Sequence, residues 1–204
     1  MIIIDILIII FLFSFFAVSH TWLASVKIKK GFVEKMGDKI AFYRLFYNLS
    51  SILSFAFFYL VSPKPDLIVY DLHYPFDIIT FALQILSFIG LIWAVRGTNL
   101  LVFAGISQIK KYLEGNYSAE DLDEQQVFRN TGAFKLVRHP VYLFLILFLG
   151  LRPTMDLFYF VMFICIAAYF YIGSIFKEKK LIEIFGNDYL EYQRSVPRII
   201  PFIK

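Results

Sequence analysis

The 204-residue chain is 59% hydrophobic and 18% charged, against about 45–50% and about 25% for soluble domains. With 25 Phe, 13 Tyr and 2 Trp, it carries more apolar surface than one soluble core of this length can bury, which excludes an ordinary water-soluble enzyme and makes lipid the second solvent. A single cysteine, Cys165, excludes an internal disulfide framework and a Cys-cluster metal site, and the net charge of +4 is small. Its basic residues lie in short clusters beside apolar runs and read as topology signals, not as a nucleic-acid surface, so no metal and no nucleic-acid partner is expected.

Crossing about 30 Å of hydrocarbon takes roughly 20 helical residues. Four runs qualify: Ile2 to Leu23, Tyr43 to Val61, Phe76 to Val95 and Leu157 to Phe176. A fifth, Val141 to Leu151, is shorter; Pro140 suits the first turn of its helix, and Arg152, Pro153 and Asp156 end it. Between the third and fourth runs, Ile106, Ile109 and Leu113 at helical spacing against Lys110 and Lys111 predict an interfacial helix. An acidic patch, Glu120 to Glu124, follows as a solvated loop. The expected fold is all-α: one membrane-embedded domain over 1–204 with spans at about 2–23, 43–61, 76–95, 136–151 and 157–176. The fourth span pairs with the fifth as a helical hairpin, and cytoplasmic interfacial and C-terminal helices complete the fold.

The positive-inside rule orients these spans. Lys27, Lys29, Lys30, Lys35, Lys39 and Arg44 follow the first; Arg96, Lys110, Lys111, Arg129, Lys135 and Arg138 follow the third; Lys177, Lys179, Lys180, Arg194, Arg198 and Lys204 follow the fifth. Only Lys64 and Arg152 fall on the opposite side. The N-terminus is therefore expected outside and the C-terminus in the cytoplasm, as in a prokaryotic inner membrane. The first run has no basic n-region and no small-residue cleavage site, so it is expected to stay as a permanent helix. The external loops, Ser62 to Pro75 and Arg152 to Asp156, are short; the concentrated polar groups, and any chemistry, belong to the cytoplasmic face.

Two constellations stand there. Arg138-His139-Pro140-Val141-Tyr142 marks the entrance of the short fourth span. Its plain reading is an anchor, with Arg snorkelling, His capping and Pro starting the helix. Its functional reading is a helix N-terminus beside a cation, a site for a carboxylate. The second is Glu178, followed by Tyr189, Tyr192 and Val196-Pro197-Arg198. A boundary carboxylate either pairs with a nearby Lys or holds a cationic group, and tyrosine rings offer faces to an adenine or a sulfonium.

Together, Gly132 to Tyr142, Glu178-Lys179-Lys180-Leu181, Phe185 to Tyr192 and Val196 to Pro201 resemble the C-terminal half of the isoprenylcysteine carboxyl methyltransferase superfamily. Its members are membrane enzymes that use S-adenosylmethionine. His20 to Ser25, Lys27, Tyr43 to Ser50, Gly105 to Gln108 and Pro153-Thr154-Met155 resemble the methanethiol S-methyltransferase and NnrU-like branch. The resemblance implies S-adenosylmethionine as cofactor, held by Arg138, His139, Pro140, Tyr142, Glu178, Tyr189, Tyr192 and Gln108, with Glu178, His139 and Arg138 as the catalytic set. The acceptor would lie against His20, Tyr43, Arg44, Tyr47 and Asn48. One departure stands out: the family usually carries paired glutamates at the end of span five, and here the first of the two positions is Lys177.

The implied function is methyl transfer to a small thiol. The alternatives are an isoprenylcysteine carboxyl or phospholipid methyltransferase, and a non-catalytic NnrU-like membrane protein. No Gly-rich loop follows a strand, so the soluble Rossmann route to the cofactor is absent. If a thiolate attacks a sulfonium methyl, two ions become neutral products, a course that a low-dielectric site does not oppose. Positioning alone supplies roughly 7–11 kcal/mol in favourable cases. His139 or His20 would take the thiol proton. The expected partners are a small or lipophilic acceptor and the bilayer itself; composition leaves the oligomeric state open.

Overall fold

The computed structural model describes residues 1–96, 98–118 and 128–202. Its helices, in chain order, are α1 (Ile2–Ala24), α2 (Val26–Met36), α3 (Tyr43–Val61), α4 (Phe76–Val95), α5 (Leu100–Ala104), α6 (Ile106–Leu113), α7 (Pro140–Gly150), α8 (Leu157–Phe185) and α9 (Asn187–Ser195). Short 3-10 turns, Gly37–Phe42 and Gly132–Lys135, precede α3 and α7, and two strands, β1 (Ile68–Asp71) and β2 (Thr154–Asp156), precede α4 and α8. Among the described residues, four stretches are long and apolar enough to cross a membrane: Ile2–Ala24, Val26–Val61, Phe76–Val95 and Leu157–Phe185. Pro140–Gly150 is a shorter apolar helix. The apolar side chains of α4 are largely exposed, Ile78, Phe81, Leu86 and Ile89 among them, as expected of a helix whose solvent is hydrocarbon. The acidic patch Glu120 to Glu124 lies outside the described residues.

Contacts divide the chain into two compact units. One holds residues 1–6, 64–96 and 127–204; the other holds 7–63 and 97–126.

In the first unit α4 packs along α7, and α7 packs on α8. Gly90 permits the α4–α7 approach, since a Cβ there would lie 2.3 Å from the Phe144 ring. Val137, Leu143 and Ile199 form a buried cluster joined by Tyr142 and Ile146. The helix of the fourth apolar run starts at Pro140, later than the span expected from 136. The residue before a proline is pushed out of the helical region, and His139 sits at φ −124°, ψ 65°. The Arg138 and His139 N–H groups then donate to Pro197 O (2.8 Å) and Arg198 O (3.0 Å) instead of to a preceding turn.

Helix α8 outlasts its expected end at 176. Its 29 residues span about 43 Å at about 1.5 Å each, more than the hydrocarbon thickness, so its last turns carry Glu178 past the apolar stretch. Asp156 caps its start, accepting from Tyr159 N at 2.9 Å, and the Gly186 N–H closes its end on Ile182 O. The two segments read as loops also gain structure: β1 and β2 pair antiparallel in the register Ile68↔Asp156, Tyr70↔Met155 and Asp71↔Thr154. Thr154 Oγ1 donates to Asp71 Oδ1 at 2.7 Å.

In the second unit, Phe13, Phe16, Phe55 and Phe58 pack edge to face or tilted between α1 and α3. Ser25 caps α2 and Asn99 caps α5. Gly105 makes the turn between α5 and α6 in the left-handed region, at φ 91°.

Candidate functional site

The first unit concentrates its charge on one carboxylate. Glu178 is 2% exposed and both of its oxygens are fully engaged. Oε1 accepts from Arg138 Nε at 2.7 Å and lies 3.1 Å from His139 Nε2. Oε2 accepts from Arg138 Nη2 (3.1 Å), Gln193 Nε2 (2.9 Å) and Arg198 Nε (3.2 Å). The Arg138 contact is bidentate, which gives direction as well as strength, and its remaining Nη1 donates to Gln193 O and Val196 O. One side chain thus ties together the entrance of α7, the end of α8, α9 and the segment after it.

Arg138, His139 and Glu178, expected to act together, are brought together. Pro140 opens α7 beside them. Tyr142 stacks on His139 (ring centroids 5.2 Å apart, planes within 8°) and on Phe170 (4.5 Å, 4°), so protein rings already cover its faces. Tyr189 and Tyr192 are buried against Phe128. Burial raises both phenols, that of Tyr192 to about 12, so at neutral pH Tyr192 is a neutral donor, and it donates to Phe134 O. Lys177 is exposed, and the carboxylate's cluster is built without it.

Two members of this cluster were not in the expected set, Gln193 and Arg198. The motif Val196-Pro197-Arg198 is visible in the sequence, but its pairing with Arg138-His139 across some sixty residues is not. Arg198 is 30% exposed along its side chain and commits Nε to Glu178. Arg138, by contrast, is 7% exposed and spends its guanidinium on protein acceptors. With two guanidinium groups against one carboxylate, the cluster has a formal charge of +1 when His139 is neutral, which suits a ligand carboxylate presented to the outward side of Arg198.

The second unit gathers the other expected residues. Arg44 Nε (3.0 Å) and Asn48 Nδ2 (2.9 Å), one turn apart on α3, both donate to Phe103 O near the end of α5, where helix carbonyls lack intrahelical partners. Tyr43 donates to Leu23 O at 2.8 Å. Tyr47 Oη lies 2.7 Å from His20 Nε2, and His20 Nδ1 lies 2.8 Å from Ser51 Oγ. A cavity of about 130 Å³ is lined by Lys29, Tyr43, Arg44, Tyr47, Gln108 and Tyr117, together with Ala24, Ile40 and Ala41. Gln108, expected to touch the cofactor, thus stands in this unit with Tyr43, Arg44 and Tyr47, its amide donating to Val102 O at 3.1 Å.

Fold and site together define a helical protein with membrane-length apolar helices, a buried carboxylate–guanidinium cluster at the end of the longest helix and a small polar-lined cavity. Among curated proteins, the chain is similar to methanethiol S-methyltransferase 1 of Bradyrhizobium diazoefficiens, with 26% identity over 196 residues, 94% of this chain and 65% of that protein. It is also similar to the methanethiol S-methyltransferase of Pseudomonas deceptionensis, with 28% identity over 96% of this chain and 72% of that protein. A protein of the same name from a further Pseudomonas species is 24% identical over 93% of this chain and 71% of its own length. The chain therefore spans about two thirds of the length of these relatives. No family model matches it, and no solved structure does.

Proposed function

We propose that this chain is an integral membrane methyltransferase that carries a methyl group from S-adenosylmethionine to a small thiol of the methanethiol type. It would belong to the isoprenylcysteine carboxyl methyltransferase superfamily, on the methanethiol S-methyltransferase and NnrU-like branch. The observation that carries this reading is the similarity to several curated methanethiol S-methyltransferases over nearly the whole chain. The geometry supports it at two places. The Glu178 cluster supplies a cation, Arg198, held in place by a buried acid. The cavity in the second unit, about 130 Å³, is far below the roughly 300–1,000 Å³ of sites for larger ligands, and so favours a small thiol over a prenylcysteine or a phospholipid.

S-adenosylmethionine, when bound, supplies an electrophilic methyl on a sulfonium. Arg198 would hold its carboxylate, Glu178 and Arg138 would fix Arg198 and the α7 entrance, and Tyr189 and Tyr192 would form an aromatic wall nearby. Replacing Arg198 by alanine is therefore expected to weaken S-adenosylmethionine binding by about 10- to 100-fold, the worth of one charge-assisted contact. The thermal midpoint should hardly move, because Arg138, His139 and Gln193 still engage Glu178. Isothermal titration with the purified protein measures the first and a melting curve the second; an unchanged affinity would remove Arg198 from the site.

The chain would cross the membrane five times, counting α7, with the N-terminus outside and the C-terminus in the cytoplasm. Strand pairing supports this parity: β1 and β2 join the segments before α4 and after α7, as two intervening crossings require. In a Cys165→Ser background, Asp66→Cys is expected to react with an impermeant maleimide in intact cells, and Lys179→Cys only after permeabilisation. Equal labelling of both would refute the orientation.

The deciding experiment incubates the purified protein with methyl-labelled S-adenosylmethionine and, in parallel, methanethiol, a prenylcysteine analogue and phospholipid vesicles. Labelled dimethyl sulfide in the headspace is the expected product. Label in the lipid extract instead would favour a lipid acceptor. Binding without turnover would favour the non-catalytic NnrU-like reading, towards which Lys177 points.

A further inference from the structure

The second unit holds a hydrogen-bonded chain whose direction its own geometry determines. Ser51 Oγ donates to Tyr47 O at 2.7 Å, so its one hydrogen is committed and its oxygen can only accept from His20 Nδ1, 2.8 Å away. The ring proton of His20 therefore sits on Nδ1. Nε2 is left as an acceptor, and the group 2.7 Å from it is the Tyr47 hydroxyl, which must donate. Tyr47 also lines the cavity of about 130 Å³, as do Lys29 and Arg44. A basic nitrogen thus reaches a small cation-lined cavity through one phenol.

We propose that Tyr47 and His20 form the proton relay that ionises a thiol bound in this cavity. This rests on the thiol-methyltransferase reading above, and it selects His20 over His139 as the proton's destination. The thiol S–H bond breaks as its proton passes to Tyr47 Oη. At the same time the Tyr47 hydroxyl proton passes to His20 Nε2, so the phenol remains neutral. His20 becomes an imidazolium that still donates through Nδ1 to Ser51, and the sulfur keeps the electron pair as a thiolate beside Lys29 and Arg44. On methyl transfer the thiolate forms the new S–C bond, and the electron pair of the broken sulfonium S–C bond stays on the donor's sulfur. As the neutral thioether leaves, His20 passes its proton back through Tyr47 to water entering the cavity, so the net proton of the reaction is released to solvent and His20 is neutral again. His20 is half-buried near the end of the first apolar helix and its Nε2 is engaged by Tyr47, so a proton from the cavity reaches it through that phenol.

The test uses the full chain in nanodiscs with methanethiol and no methyl donor. Wild type is expected to show bound thiolate by its ultraviolet absorbance and conversion of one histidine to imidazolium by nitrogen NMR, assigned to His20 by its loss in His20→Gln and its persistence in His73→Gln. Tyr47→Phe removes one hydroxyl and keeps the ring packed on His20; it is expected to fold, to bind the thiol and to lose both signals. In turnover, Tyr47→Phe and His20→Gln are expected to lower kcat for methanethiol by about 100-fold or more, in the usual range of acid–base catalysis. For the more acidic trifluoroethanethiol the loss should be under about 10-fold, a selectivity that a merely structural role would not produce. Thiolate formation without a His20 imidazolium, or equal losses for the two thiols, would overturn the relay while leaving the methyltransferase reading intact. Thiolate and imidazolium signals in a protein that transfers no methyl group would uphold the relay and overturn that reading.

Discussion

Glu178→Ala is expected to destabilise the protein by about 3–5 kcal/mol, the cost of leaving a buried charge without its partner. For a chain of this size that is on the order of 10 °C in thermal midpoint. The magnitude follows from where the charges sit. Arg138 is 7% exposed and Glu178 3% by side chain, so the guanidinium left behind would not be resolvated without opening the α7 entrance. Four side chains from three parts of the chain converge on this carboxylate, and their loss would release α9 and the segment 196–199 together. Methyl-donor binding should fall by about the same 10- to 100-fold expected of Arg198→Ala, because Arg198 loses its anchor. The double variant Arg138→Met with Glu178→Met separates the two effects: replacing a buried ion pair by apolar side chains commonly costs little, so much of the stability should return while donor binding does not. Melting curves and titrations on wild type, single and double variants measure this. A single variant as stable as wild type would mean that the cluster is solvated and that Glu178 does not hold the fold.

That cluster also shows where a sequence stops being readable. The apolar helices were legible because hydrocarbon demands long uninterrupted runs, and Pro140 marked the start of α7 because its chemistry there is local. Arg138, His139 and Glu178 stood out as charged or titratable groups at a membrane boundary, an unusual place for them. Gln193 did not, since an amide on a polar helix carries no local signal, and Arg198 lacked a role until its segment was seen paired with residues 138 and 139. The β1–β2 ribbon was hidden for a similar reason: strands of four and three residues have no periodicity, and only long-range pairing creates them. Asn48 is an intermediate case. An amide inside an apolar run needs a partner, but any backbone carbonyl would serve, and nothing local identifies that of Phe103. Ser51, which sets the tautomer of His20, is one of several serines on α3 and carries no local signal that separates it from the others.

The same dependence on distant backbone makes Gly105→Ala the second large effect. Gly105 sits at φ 91°, a region that costs a residue with a Cβ on the order of 1–3 kcal/mol. An added Cβ would also stand 2.7 Å from the Leu45 backbone nitrogen and 3.1 Å from the Arg44 Cβ. Backbone of α3 cannot turn aside as a side chain can, so relief requires the α5–α6 turn to lift away. That turn carries Phe103, whose carbonyl receives Arg44 and Asn48, and Gln108, which lines the cavity with Tyr43, Arg44 and Tyr47. The expected outcome is a lower thermal midpoint with a raised KM for the thiol, while titrated S-adenosylmethionine affinity, which the proposed function assigns to the Glu178 cluster, stays near wild type. Gly105→Asn discriminates between the two causes. Asparagine tolerates the left-handed region better than alanine but carries the same Cβ, so it should lose nearly as much if the close approach to Leu45 dominates. Recovery of both midpoint and KM in the asparagine variant would instead place the whole effect in the backbone angle.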